Sequence, residues 1–244
     1  MITLYKFGPL GQVCDASPFC VKVEAYMRMA GLPYEVKTGT KHLKTAPKGK
    51  LPYIEDNGKR IADSGFIVQY FKETYGDSLD SHLSDQDKAI ATAFTRLLEE
   101  NLYWVIVHAR WLLPQNAAML DQNIFGAPEF LRLPLPLRAY IKYSVKQKVK
   151  ASLHAQGLGR HSHEEITAIG NRDLLALANI LQDKPYFFGN EPSSLDAIAY
   201  GSLANILLVN CYQAPIIDQA RTYENLSAFT RRFHERYFGQ PESN

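Results

Sequence analysis

The hydrophobic period changes near residue 84, and that change constrains the fold more than any other feature of the chain. Before it, short apolar runs alternate with single helical stretches. After it, only helical spacing occurs. ITLYKF, closed by Gly8-Pro9, reads as a strand and turn. Ser17-Pro18 opens a helix, with a cap-type hydroxyl followed by proline where a missing N–H does no harm, and VKVEAYMRMA carries it to Gly31. A second strand begins over 34–36. Strands over 51–55 and 60–62 flank the turn Asp56-Asn57-Gly58-Lys59. Asp63-Ser64 then caps a helix whose Phe66, Ile67, Tyr70 and Phe71 share one face. The order is βαβ followed by ββα. A polar stretch over 77–84 serves as connection.

Beyond it, Ile90, Phe94, Leu97 and Val105 recur at helical spacing over 86–113, and LYWVIVHARWLL is apolar nearly all round, which predicts burial of that end. Further helices are expected over 137–153 (basic and amphipathic), 163–181, 193–208 and 226–238. Strand–helix alternation followed by helices alone predicts an α/β domain over 1–78, a linker at 79–84 and an all-α domain over 85–244.

The 244 residues suffice for two such units, and a net charge of +2 offers no global field for nucleic acid. The charge is uneven, since 132–160 holds Lys and Arg without an Asp or Glu. That stretch reads either as a solvated helix face, the simpler reading, or as a surface for acidic partners or lipid headgroups. Three cysteines, Cys14, Cys20 and Cys211, do not make a disulfide framework. MITLYKFGPL lacks the order of a signal peptide, FGQPESN carries no anchor, and the apolar stretch 102–113 contains His108 and Arg110. A cytoplasmic protein without a transmembrane segment is expected.

Three short motifs carry chemistry, and each has two readings. Ser17 either caps its helix or, from a helix N-terminus that favours negative charge, donates to a thiolate. A free thiol has a pKa of about 8.5, so a hydroxyl donor there would make a better nucleophile. In Gly49-Lys50-Leu51-Pro52 the proline is either an ordinary edge-strand residue or a cis proline that turns the Leu51 main chain toward an extended peptide. Asp63-Ser64 is either a simple cap or a place for a ligand's carboxylate and ammonium groups.

Together, in this order, these motifs resemble the glutathione S-transferase superfamily. Ser17-Pro18-Phe19 is similar to the serine motif of its tau class, and GKLPYIEDNGKRIADSGFIVQYFKE is similar to its glutathione-binding strand–turn–strand–helix. GNEPSSLD resembles its buried capping box, with Ser193 as cap and Asp196 at the third helical position. SPFCVKVEAYMRMAGLPYE and the stretch from Gly157 to Leu207 resemble the failed-axon-connections/metaxin-like branch.

The resemblance implies a thioredoxin-like first domain, glutathione as co-substrate with no metal, a homodimer, and a small electrophilic, mostly apolar acceptor. It implies that Ser17 donates to the glutathione sulfur, that Leu51 before Pro52 binds the cysteinyl part, that Asp63 and Ser64 hold the γ-glutamyl end, and that Lys50 approaches the glycyl carboxylate. The family usually has Glu where Asp63 stands, and the stretch from Gly8 to Ser17 is long. Trp104, His108 and Trp111 share one helical stripe, on a helix that borders the acceptor pocket in the family; burial in the core is the other reading. The branch also implies an alternative, an adaptor or binding protein with little catalysis.

A glutathione-dependent thiol–disulfide reductase is a further alternative, through Cys20 or Cys14. Cys20 falls one turn into the helix, where half-burial as a packing residue is expected, and Cys14 sits in an exposed loop. Their spacing is not that of a C-x-x-C pair. His161, His163 and His154 lack thiolate or carboxylate partners at ligand spacing, so no metal site is expected.

Overall fold

A computed structural model describes residues 1–239. Its first half is a four-stranded sheet in the order β2-β1-β3-β4, made by β1 (Ile2–Lys6), β2 (Tyr34–Thr38), β3 (Tyr53–Asp56) and β4 (Lys59–Ala62). β1 runs parallel to β2 and antiparallel to β3, and β3 pairs antiparallel with β4. A parallel pair needs a crossover, which α1 (Pro18–Met29) supplies. α2 (Ser64–Tyr75) follows β4 and packs against α1. The turn between β3 and β4 uses Asn57 and Gly58, both at positive φ as a tight hairpin requires.

The rest is helical: α3 (Asp85–Arg96), α4 (Tyr103–Trp111), the short α5 (Ala117–Met119) and α6 (Pro128–Leu131), then α7 (Leu135–Gln156), α8 (His163–Leu181), α9 (Ser194–Leu207), α10 (Pro215–Thr222) and α11 (Glu224–Phe238). A π-helical stretch, Leu97–Leu102, joins α3 to α4, so the helix expected over 86–113 is one rod with a widened turn. This is an α/β thioredoxin-like unit followed by an all-α unit.

α9 explains how the two parts hold together. Every residue from Leu195 to Ile206 is buried, and the helix packs along α1. A Cβ on Gly201 would stand 2.6 Å from the Pro18 carbonyl oxygen, so only glycine permits this approach. α1, covered by the sheet on one side and by α9 on the other, is buried from Cys20 to Met27. Its two buried charges are paired: Lys22 with Glu99 of the π turn at 2.6 Å, and Glu24 with Lys6 of β1 at 2.5 Å.

Several expectations change. The third strand begins at Tyr53 rather than at residue 51. The polar stretch at 77–84 is a packed strap, with Leu79, Asp80 and Leu83 buried and Asp80 accepting from the Ser194 N–H at 2.7 Å. Cys20 is fully buried rather than half-buried, and Cys14 is half-buried rather than exposed. The basic helix is longer than expected and scarcely amphipathic in its burial: Leu153 is its one buried residue. α10 and the 3-10 turn Thr40–Lys44 had no clear sequence signal. Most of the tail FGQPESN, from which an absent anchor was inferred, lies outside the described residues. Among the described residues, no helix is long and apolar enough to cross a membrane.

Candidate functional site

The three motifs meet at one end of the sheet. Cys20, in the first turn of α1, packs in a cluster with Tyr5, Leu51, Tyr53 and Ala62. That contact brings Ser17, Leu51-Pro52 and Asp63-Ser64 into one neighbourhood. The Leu51–Pro52 peptide is cis, and the ladders of β3 with β1 and β4 end at Tyr53, so the Leu51 main chain lies beyond the last paired residue. Lys50 is exposed, whereas Leu51, Pro52 and Ser64 are buried.

Ser17 occupies the N-cap position of α1, yet its side chain makes no capping hydrogen bond. Its hydroxyl lies beside the Cys20 thiol instead. Asp63 does cap its helix: Oδ1 accepts from the Gly65 N–H at 2.9 Å and from the Phe66 N–H at 3.5 Å. It does so at φ 85°, a conformation that side chains other than glycine seldom adopt and that functional sites often hold.

Two residues that sequence reasoning passed over fix the approach to Ser17. Asp15 is fully buried, and its carboxylate accepts from the Gly8 N–H and from the Ser17 N–H, both at 2.8 Å. Burial pushes its carboxyl up to about 6 against the opposing pull of those N–H groups and of Lys6. Arg110 of α4, also buried, donates to the Ala16 carbonyl at 2.6 Å and to Asn205 of α9. An Asp two residues before a helix-opening Ser, and an Arg inside an apolar helix, were the available signals. A third, Tyr103 at the start of α4, sets its ring 4.7 Å from that of Phe19, beside Ser17.

The expected acceptor stripe divides. Trp104 is half-buried, with its ring 5.2 Å from that of Tyr103. His108 is buried and turned to α8, its Nε2 2.6 Å from Nδ1 of His163, and burial with this neighbour lowers it to about 4. Trp111 meets Phe125 edge-on at 6.3 Å. Burial pushes both the Cys14 and the Cys20 thiols up, so neither offers a thiolate near neutrality. Among the described residues no group of three or more His, Cys, Asp or Glu could hold a metal ion. A crevice of about 380 Å³, lined by Lys72, Asp80, Lys88, Arg96 and Ser194 among others, lies between the strap and α3, apart from Ser17.

The helix N-terminus, the unpaired Leu51 backbone and the Asp63 turn, set on this two-part scaffold, define a glutathione-transferase type of fold. The family model for the glutathione S-transferase N-terminal domain matches residues 18–116, and that for the C-terminal domain matches residues 170–233. The chain belongs to the glutathione S-transferase superfamily, in its failed-axon-connections/metaxin-like branch. It is 36% identical to isoprene-epoxide–glutathione S-transferase of Rhodococcus sp. (strain AD45), over 84% of this chain and 87% of that protein. It is also 36% identical to failed axon connections of Drosophila melanogaster, over 84% of this chain but 50% of that protein, and 28% identical to human metaxin-2, over 88% and 80%. Among solved structures, beta-etherase LigF from Sphingobium sp. strain SYK-6 superposes with a TM-score of 0.61 at 18% identity, covering 96% of this chain and 94% of that one.

Proposed function

We propose that the protein is a glutathione transferase of the serine type, acting on small electrophilic, mostly apolar acceptors. The observation that carries this is the Ser17 hydroxyl, which stands at a helix N-terminus without capping it. A hydroxyl free of that duty can donate to sulfur, and the helix end favours the negative charge that sulfur acquires. Asp63 caps through Oδ1 alone, which leaves Oδ2 for an ammonium group, with Ser64 beside it for the γ-glutamyl end. The unpaired Leu51 main chain before Pro52 suits the cysteinyl backbone, and Lys50 the glycyl carboxylate.

The bound thiol loses its proton to solvent. Its sulfur then forms a bond to an electrophilic carbon as the leaving group or ring oxygen departs and takes up a proton. Lowering the thiol pKa is the main contribution asked of the site. The Rhodococcus relative is named for an epoxide, which makes a small alkene epoxide the first acceptor to assay. Phe19, Tyr103 and Trp104 are the proposed acceptor side; of the expected stripe, His108 is engaged with His163 and Trp111 with Phe125. Residues 1–78 form the proposed glutathione-binding domain, 79–84 the connection and 85–244 the helical domain. A cytoplasmic homodimer completes the reading.

Calorimetric titration with glutathione tests the site. Binding should vanish in Asp63→Ala/Ser64→Ala. Ser17→Ala should lower kcat/KM by about 10²-fold, the order lost with one donor to a developing charge, and move the acid limb of the pH profile upward. No glutathione binding to the wild type would favour the adaptor reading that the metaxin-like relatives suggest. With Cys20 buried, Cys14 half-buried and both thiols pushed up, the reductase reading lacks a thiolate.

A further inference from the structure

We infer that Asp15 and Arg110 form a positioning clamp on the Ala16–Ser17 peptide, and that this clamp aims the Ser17 hydroxyl. The inference rests on the serine-type reading above. Both residues grip one peptide unit. Its N–H donates to Asp15 Oδ1 at 2.8 Å, and its C=O accepts from Arg110 Nη1 at 2.6 Å. A carboxylate on the N–H side and a guanidinium on the C=O side match the peptide dipole, so each charge reinforces the other's hold. With that plane fixed, the rotation that sets the direction of the Ser17 Cα–Cβ bond is fixed from one end, and the first turn of α1 fixes it from the other.

The clamp is itself anchored. Asp15 Oδ2 accepts from the Gly8 N–H at 2.8 Å, and the Ala16 N–H donates to the Gly8 C=O at 3.0 Å, so the long loop closes at its neck. Lys6 Nζ donates to the Cys14 carbonyl at 2.8 Å. Arg110 Nη2 donates to the Asn205 carbonyl and side chain, and the Tyr212 hydroxyl donates to the same carbonyl at 2.7 Å. The groups facing Asp15 are Lys6 from β1, Cys14 from the loop, and Cys20 from α1, with Glu24 of α1 paired to Lys6 and beside Cys14. Arg110 reaches the same peptide from α4. An ionised Asp15 accepts both N–H groups. A protonated one turns an acceptor into a donor facing N–H, so the clamp opens on the acid side, near the value of about 6 to which burial lifts this carboxyl.

Two measurements test this. In amide NMR of the glutathione-free protein, the Gly8 and Ser17 resonances should titrate together with a midpoint near pH 6, and Asp15→Asn should abolish that titration. In conjugation assays, Asp15→Asn and Arg110→Lys should each lower kcat by about tenfold or more, with KM for glutathione within about twofold, because a misaimed donor costs turnover rather than binding. Wild type and Arg110→Lys should fall with two protons on the acid limb, and Asp15→Asn with one. Amides that do not titrate together, or a one-proton limb in the wild type, overturn the clamp. Should the wild type neither bind nor turn over glutathione, the serine-type reading fails, while the amide titration still decides whether Asp15 holds the Ser17 peptide. Should Asp15→Asn not fold, Arg110→Lys and the wild-type titration decide.

Discussion

α7 and α9 are both long helices of the second half, and they do opposite things. α9 is buried from Leu195 to Ile206, carries one charge, Asp196, and touches α1 through Gly201. α7 is the longer, at 22 residues, yet only Leu153 of it is buried, and Leu135, Tyr140 and Tyr143 stand 71%, 67% and 65% exposed. Length does not make a helix central. What centres α9 is the absence of long polar side chains, which lets backbone approach backbone, together with a capping device that satisfies its buried N-terminus.

That contrast can be broken at its strongest point first. Asp196 accepts from the Ser193 N–H at 2.7 Å, the Ser193 hydroxyl at 2.8 Å and the Phe187 N–H at 3.0 Å, all buried. Asp196→Ala orphans these donors and should cost about 3–5 kcal/mol, read as a fall in the urea midpoint at constant slope. Gly201→Ala should cost about 1–3 kcal/mol by overpacking against Pro18, and because Pro18 follows Ser17 it should lower glutathione turnover as well.

Asp173 of α8 is an intermediate case, buried with the Asn101 amide 2.7 Å away. Burial lifts its carboxyl to about 6, above the unfolded value of about 3.9. The fold therefore favours its protonated form. The stability it contributes is complete below about pH 4 and is lost as pH rises through about 6. Asp173→Asn cannot ionise, so its urea midpoint should gain on that of the wild type as pH rises from 4 to 7. Smallest of all, Tyr140→Ser and Tyr143→Ser on α7 should each move stability by no more than about 0.5 kcal/mol. A large loss there would mean that α7 is held by contacts of its outer face and would erase the contrast.

The change of period was legible because strands and helices impose different spacings on the same apolar residues, and it gave both halves and their order. The depth of each helix was less so. Cys20, one turn into α1, was expected to be half-buried, yet Val21, Val23, Tyr26 and Met27 put apolar residues on more than one side of that helix, the same sign that marked LYWVIVHARWLL. α7 was expected to be amphipathic, yet with Leu153 its one buried residue the solvated-face reading of the basic stretch describes nearly the whole helix. Of the candidate site, Ser17, Leu51-Pro52 and Asp63-Ser64 were readable from local motifs. The grip of Arg110 on the Ala16 carbonyl was not, because it joins residues 94 apart in sequence and a single Arg in an apolar run does not name its partner.

The packing of α1 between sheet and α9 also bears on modularity. A segment cut at residue 78 would take the serine with it but leave behind Glu99, the partner of Lys22, along with Arg110 and the helix that shields one whole side of α1. Recombination at that seam would therefore join halves with mismatched contacts, and the two units are expected to diversify as a matched pair rather than as exchangeable parts.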